Sequence, residues 1–399
     1  MIRVLGLVYG HTETHTFRVL AVLDELKKLG DFEIKVSGTG RCMEYVKQQG
    51  YDCIETRGVT EQQLYDSQFK DGIFGFYSKD VVDDMYEAEQ TWLEFQPDII
   101  IRDTLREVAG IVAKEHGIYD VLIEQANISD YYHYDFVPIN MERFMGKTAD
   151  KATLRKMEQV MRKSFYENIV KKVREVGLPV NEKVSSGLEP DLVLFPDSEL
   201  LFPVEEQMDE RYHFVGPLVK SARDVPPEWI EEYANSPKKR ILISGGTTKQ
   251  SNFAMFCKEA LDPEKYCIAI CNPNSKDFPD FYSGRFKLSS VLPYTDLFIH
   301  HGGISSTFLG IQSGVPMFII YSTLELQINA MQVQKIGVGK SCAQNEVTAQ
   351  IIRDTVDQML TDKKIGKKAK VIASMHAGNN AEEKAARLIL EGYQKREKQ

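Results

Sequence analysis

Two stretches of this chain place histidine, glycine and small hydroxyl residues at spacings that could hold an anion and move a proton. The longer, residues 292–339, reads LPYTDLFIHHGGISSTFLGIQSGVPMFIIYSTLELQINAMQVQKIGVG. Its apolar run Leu297–His300 suits a buried strand, His301-Gly302-Gly303 a turn, and the following residues a helix with Ser305, Ser306 and Thr307 in its first turn. Glycines let backbone approach a ligand, and the free N–H groups and positive dipole end of a helix attract phosphate. Hydroxyls at a helix start add donors to the same anion, so a diphosphate is the guest this pattern suits; helix capping by Ser305 or Ser306 beside a tight turn accounts for the same residue types. The second stretch, Gly10-His11-Thr12-Glu13-Thr14-His15-Thr16-Phe17-Arg18, offers two imidazoles between an apolar strand and a helix. A neutral imidazole titrating near pH 7 suits removal of a proton from a hydroxyl nucleophile.

The elements that must carry these residues alternate. Val4–Val8 reads as a buried strand, and Phe17–Leu29 as a helix with Val19, Leu20, Val22, Leu23 and Leu26 on one face. Strand and helix recur at Glu33–Ser37 and Met43–Gln49, and again at Asp98–Ile101 and Glu107–His116; further strands are expected at Val121–Ile123 and Asp191–Phe195. A second series begins at Arg240–Ser244, ends that strand in Gly245-Gly246-Thr247-Thr248, and continues through Cys267–Ile270, Leu297–His300 and Met317–Ile320 with helices between. Alternation of this kind specifies parallel sheets covered on both faces, an α/β class. The 399 residues exceed one usual core, which predicts two domains. Expected bounds are 1–218 for an N-terminal Rossmann-like domain, 219–238 for a Pro-containing linker, 239–380 for a C-terminal Rossmann-like domain, and 381–399 for a final helix that packs back on the first domain.

The 292–339 stretch resembles the donor-binding signature of family 1-type (UDP-glycosyltransferase-like) glycosyltransferases: D-x-x-I-x-H-G-G-x-x-S-T, then G-V-P, then an acid and N-A before G-x-G. The matching residues are Asp296, Ile299, His301, Gly302, Gly303, Ser306, Thr307, Gly314, Val315, Pro316, Glu325, Asn329, Ala330, Gly337 and Gly339. The resemblance extends over nearly the whole chain and implies a GT-B fold, with two Rossmann-like domains whose parallel sheets face a central cleft. It implies that His301 contacts donor phosphates and that Ser305, Ser306, Thr307 and the helix N-terminus hold the diphosphate. Glu325, with Gln327 and Asn329 on the same helix, is implied on the sugar, Gly246 and Thr247 on the donor, and Phe286 stacked on the base. The chain departs from the pattern at Leu309, where the family usually has a Glu on the ribose, and at Leu326, where Gln usually follows the acid.

The loop after the first strand resembles the G-H-x-x-R or G-H-x-x-P loop of the same superfamily, which includes the lipid-linked N-acetylglucosaminyltransferase of peptidoglycan synthesis. There the histidine is the general base of inverting members. Placing His15 in that role sets Arg18 and the apolar helix positions in register, and His15 is taken over His11; Thr14 stands where the family has Gly. Asp103 occupies the family position of the carboxylate that orients the base, and it equally suits a turn cap. No D-x-D metal motif is present. The expected reaction is therefore metal-independent and inverting, from a nucleotide diphosphate sugar, with UDP-sugar favoured, to a hydroxyl of a small-molecule or lipid-linked acceptor, with no cofactor beyond the donor.

Residues 141–178 carry ten Lys or Arg against five Asp or Glu, with Met157, Val160, Met161, Phe165, Ile169 and Val173 at helical spacing. They suit either a lid helix with solvated charges or a helix lying on an anionic membrane. Tyr131, Tyr132, His133, Tyr134 and Phe136 suit an acceptor wall or plain packing. A net charge of −9 argues against a nucleic-acid partner, and six cysteines without C-x-x-C spacing read as buried thiols. The short N-terminal apolar run does not suit a signal peptide, so a cytoplasmic location is expected, with peripheral contact at the inner membrane face. Two alternatives remain from this reading: a GT-B sugar-nucleotide epimerase, and a catalytically silent nucleotide-sugar-binding homologue suggested by Leu309 and Leu326.

Overall fold

The computed structural model describes the chain outside residues 57–59, 61, 63–75, 205–206, 219–226, 246–252, 272–276, 379 and 399. The chain forms two compact units. The first comprises Met1–Asp135, Asp150–Lys220 and Asn380–Gln399; the second comprises Phe136–Ala149 and Ser221–Asn379.

In the first unit seven parallel strands form one sheet: β1 (Ile2–Tyr9), β2 (Phe32–Thr39), β3 (Asp52–Glu55), β4 (Ile99–Asp103), β5 (Tyr119–Ile123), β6 (Leu192–Phe195) and β7 (Tyr212–Phe214), in the order β3-β2-β1-β4-β5-β6-β7. Its helices are α1 (Glu13–Leu29), α2 (Met43–Gln48), α3 (Lys79–Glu89), α4 (Glu107–Glu115) and α5 (Lys151–Glu175), with a closing helix at Ala381–Glu397. Alternate residues of β1 enter different cores, as the two-residue period of a strand requires. Val4 and Val8 pack with Val19 and Leu23 of α1 and with Ala385 and Ile389 of the closing helix. Leu5 and Leu7 pack on the other face with Trp92, Phe95, Ala109 and Val112. Because both faces are covered, the central strands are unbroken apolar runs rather than alternating ones.

Helix α1 begins four residues earlier than the apolar period indicated. Thr12 is extended, and the Thr16 N–H and hydroxyl both close on the Thr12 carbonyl, at 3.3 and 2.9 Å. His15 therefore sits in the first helical turn, not in a loop. Helix α5 buries Leu154, Met157, Tyr166, Ile169 and Val173, the last three against Phe76, Tyr77, Val82 and Ile111. The apolar stripe of residues 141–178 is thus largely spent on the core, and Val160 is the large apolar side chain of α5 that stays exposed.

The second unit has six parallel strands: β8 (Lys239–Ser244), β9 (Tyr266–Cys271), β10 (Tyr282–Gly284), β11 (Leu297–His300), β12 (Met317–Tyr321) and β13 (Gly339–Ala343), in the order β10-β9-β8-β11-β12-β13. The main helices are α6 (Phe253–Ala260), α7 (Ile304–Gln312), α8 (Leu324–Lys335), α9 (Ala349–Thr361) and α10 (Lys363–His376). Residues 229–234 also lie here, with Tyr233 wholly buried. The Asp296 carboxylate of the D-x-x-I motif ties β8 to the entry of β11, accepting from the Arg240 N–H at 2.9 Å and Nε at 3.0 Å.

Each sheet reverses its winding once, between β1 and β4 in the first unit and between β8 and β11 in the second. Open parallel sheets bind ligands beyond the carboxyl ends of strands at such switch points. In the first unit those ends are Tyr9 and Asp103; in the second they are Ser244 and His300. The residues singled out by the sequence cluster at both.

Candidate active site

At the first switch point, Gly10 must be glycine: an added Cβ would lie 2.4 Å from the Thr39 carbonyl oxygen. The chain turns there into α1 and brings the His15 ring over the end of β4. His15 Nδ1 lies 2.9 Å from both carboxylate oxygens of Asp103. Asp103 is wholly buried, and its Oδ1 also accepts the Leu105 N–H at 2.9 Å. In the neutral ring, a bond to a carboxylate oxygen that accepts puts the proton on Nδ1 and leaves Nε2 with a lone pair. The imidazole is partly open, at 19% side-chain exposure, which gives that lone pair access to a substrate. His11 lies elsewhere: its ring packs edge-on against Tyr9 at 5.1 Å, and its Nδ1 sits 2.7 Å from where a Cβ on Gly40 would fall.

Two buried arginines hold the segment after β4. Arg102 bonds Asp120 at 2.8 and 3.0 Å and Glu107 at 2.6 Å. Arg106 bonds Glu89 twice at 2.6 Å and reaches the Val8 and Ser37 carbonyls at 3.0 and 3.2 Å. Buried charges are tolerated only when paired and hydrogen-bonded in this way. Neither arginine stood out in the sequence, although the run Arg102-Asp103-Thr104-Leu105-Arg106-Glu107 concentrates charge beside an apolar strand.

At the second switch point β11 passes through His301-Gly302-Gly303 into α7. Gly302 has φ +99°, and a Cβ there would meet Ile319 Cγ2 at 2.8 Å and the Leu326 carbonyl oxygen at 3.0 Å. A Cβ on Gly303 would come within 2.6 Å of His301 Nε2. Gly303 is also the N-cap, and with no side chain it supplies no capping oxygen; the first helical bond runs from the Thr307 N–H to its carbonyl at 3.0 Å. His300 is wholly buried, stacked on Phe298 at 4.5 Å, and its Nδ1 accepts the Gly302 N–H at 3.1 Å. Burial holds His300 well below the ordinary imidazole range. It lowers His301 too, against a backbone hydrogen bond with Ser244. His300 Nε2 and His301 Nδ1 are buried without a hydrogen-bond partner among the described residues. A glycine turn, a helix start without a side-chain cap and a neutral imidazole are the parts from which anion-binding helix termini are built.

Residues 273–390 match the model of the erythromycin biosynthesis protein CIII-like C-terminal domain. The NDP-glycosyltransferase YjiC of Bacillus licheniformis is 25% identical over 292 residues, covering 71% of this chain and 69% of its own length. The kitacinnamycin glycotransferase structure superposes with a TM-score of 0.74 at 18% identity over 98% of each chain. The Streptomyces glycosyltransferase SsfS6, solved with thymidine diphosphate, gives 0.65 at 17% identity over 98% of this chain and all of its own. The chain is a glycosyltransferase of the GT-B fold. Its curated relatives include enzymes named NDP-glycosyltransferase and UDP-glucosyltransferase.

Within the glycosyltransferase, the residues implied for the donor divide into two groups. His301, Gly303 and Ser305 are half-buried, Glu325 is exposed in the first turn of α8, and Ser306 retains 8% exposure. Gly302, Thr307, Asn329 and Gln327 are buried and act as a frame. The Thr307 hydroxyl donates to the Gly303 carbonyl at 3.1 Å, and the Asn329 amide donates to the Gly302 carbonyl at 2.8 Å. Gln327 turns away from the glycine turn: its Oε1 accepts the Ile139 N–H at 2.7 Å, and its Nε2 donates to the Val137 carbonyl at 3.1 Å. It thereby binds Phe136–Ala149 into the second unit, helped by a Lys147–Glu346 ion pair. No local signal in the sequence assigns that segment.

Phe286 is half-buried and meets Trp229 edge-on at 5.1 Å, while Trp229 stacks on Tyr282 at 5.1 Å. Leu309 and Leu326 are half-buried. Gly246 and Thr247 lie outside the described residues. In the aromatic segment, Glu158 of α5 is 2% exposed, accepts the Tyr134 N–H and lies 2.8 Å from His133 Nδ1. Arg162 donates to the Ile128 carbonyl, and to the Tyr132 carbonyl at 2.9 Å. These charges of α5 pin the aromatic loop rather than facing solvent. Glu158 falls four residues after Leu154, inside the buried stripe, which is the signal that could have identified it.

Proposed function

We propose that this glycosyltransferase moves a sugar from a pyrimidine nucleoside diphosphate to a hydroxyl of a small-molecule acceptor, with inversion at the anomeric carbon and without a metal ion. The observation that carries the reading is His15 Nδ1 held on the buried Asp103 carboxylate with Nε2 unpaired. In this mechanism the acceptor O–H proton passes to His15 Nε2 as the oxygen bonds to the anomeric carbon. The bond from that carbon to the diphosphate oxygen breaks, and its electron pair leaves with the diphosphate. Asp103 stabilises the imidazolium and keeps the ring in one tautomer, the role of the acid in a triad. The negative charge of the leaving group is met by the start of α7, by His301 and by Ser305 and Ser306, with Glu325 on sugar hydroxyls. Phe286 and Trp229 offer an aromatic surface to the base. A small-molecule acceptor is favoured because the apolar stripe of α5 is buried, and because the solved relatives are named for compounds such as kitacinnamycin.

The deciding experiment incubates the enzyme with UDP-, TDP- and GDP-sugars of defined anomeric configuration and a panel of phenolic and alcoholic acceptors, and reads product configuration by NMR. Inverted product, made equally well in EDTA and lost in His15→Ala, supports the proposal. Retained configuration, a requirement for divalent cation, or full activity in His15→Ala would each overturn it.

A further inference from the structure

Helix α10 carries the sequence KKIGKKAKVIASMH, in which Lys363, Lys364, Lys367, Lys368 and Lys370 are five lysines in eight residues with no acid in the helix. On a chain of net charge −9 this is a concentrated block of the opposite sign. Ala369, Ile372 and His376 form the buried face. At about 100° per residue the five lysines fall on the remaining arc, together with Val371 and Met375. All five are exposed, and none makes an ion pair among the described residues. Val371 is 57% and Met375 60% exposed, one turn apart.

Helix α5 is equally basic and differs in each respect. Its apolar residues other than Val160 face the core, Lys171 and Lys172 pair with Glu167 and Asp83, and Arg174 pairs with Glu182. A solvated helix needs neither unpaired cations in such density nor two large apolar side chains among them. A surface that is both negatively charged and apolar beneath matches the arc on both counts. A nucleic acid would match the lysines and leave Val371 and Met375 without a partner.

We propose that the exposed arc of α10 is a peripheral docking surface for an anionic lipid bilayer, with the lysines at the headgroups and Val371 and Met375 inserted below them. None of its residues is among those assigned to donor binding or proton transfer. The test is co-sedimentation of the full chain at low salt with vesicles of phosphatidylcholine alone, and with vesicles containing about one-third phosphatidylglycerol. Binding is expected to the anionic vesicles only. It should weaken at least about tenfold in K364E/K368E and to a similar degree in V371S/M375S, with Lys156→Glu/Lys163→Glu on α5 unaffected. All these positions are exposed, so unchanged thermal melting of each variant confirms that folding is intact. No binding to anionic vesicles would overturn the proposal. So would binding that K364E/K368E abolishes while V371S/M375S leaves it whole, accompanied by equal capture of single-stranded RNA, because the lysines alone would then be reading polyanion charge.

Discussion

Both sheets of this glycosyltransferase place histidine at the carboxyl end of a switch-point strand, yet the two placements make different chemical objects. His15 rests on a buried carboxylate and keeps its second nitrogen open. His300 and His301 meet no acid among the described residues; the first is buried and the second half-buried, and desolvation lowers both from the ordinary imidazole range. What lies behind a ring decides whether it can accept a proton during a reaction or serves as a fixed polar wall. A carboxylate stabilises the charge that proton transfer creates, and a low-dielectric pocket without one forbids it.

The sharpest way to break this contrast is to remove the acid-backed ring. His15→Ala is expected to lower kcat by about 10³-fold or more while nucleoside diphosphate binding, followed by calorimetry, stays within about twofold. Asp103→Asn should lower kcat by about 10²-fold or more with the same unchanged binding, since the ring loses its tautomer and its counter-charge. The acid-free ring should behave in reverse. His301→Ala is expected to weaken nucleoside diphosphate binding by about tenfold, equivalent to about 1.4 kcal/mol, in the same calorimetric titration. If His301→Ala left binding intact and abolished turnover, the two sites would not differ as described.

Desolvation also sets a pH signature. A histidine whose folded value is depressed contributes stability that is present above its unfolded value, near 6.5, and is lost as pH falls below it. Denaturant unfolding followed between pH 7 and pH 5 should therefore lose stability by up to about 1.4 kcal/mol per pH unit for His300. His300→Asn, which keeps an acceptor for the Gly302 N–H, should flatten that slope. The smallest expected effect concerns the frame. Gln327→Ala should cost about 1–3 kcal/mol and speed hydrogen exchange at the Ile139 amide, leaving nucleoside diphosphate affinity unchanged. A loss of affinity at an unchanged exchange rate would instead return Gln327 to the ligand.

Much of this was legible from one sequence because it rests on local pattern. Buried parallel strands read as apolar runs, and the alternation of Val4–Val8 with the α1 face, or of Leu297–His300 with α7, requires no knowledge of distant contacts. The glycine turn at 301–303 is legible for the same reason. The choice of His15 over His11 came from the loop's resemblance to the family pattern, with Arg18 three residues on, and the structure places the His15 Nδ1 2.9 Å from Asp103. What escaped was set at a distance. Phe136–Ala149 joins the second unit through an amide 188 positions away in sequence, and nothing within the segment signals it. Glu158 and Arg162 looked like solvated charges on a basic helix because composition does not report where a side chain finds backbone partners.

The closing helix has a consequence for how the molecule is made. Ala381, Ala385, Ala386 and Ile389 are buried in the same core as Val4, Val19 and Leu194, and Gly392 lies so near the Tyr119 hydroxyl that a Cβ would be 2.0 Å from it. During translation the N-terminal sheet can be assembled long before this helix leaves the ribosome, but its core stays open on that side until then. The second unit, whose residues all precede the helix, has its full complement first. Completion therefore runs against the order of synthesis: the unit begun first is the one finished last, and in the interval part of its apolar core has no cover.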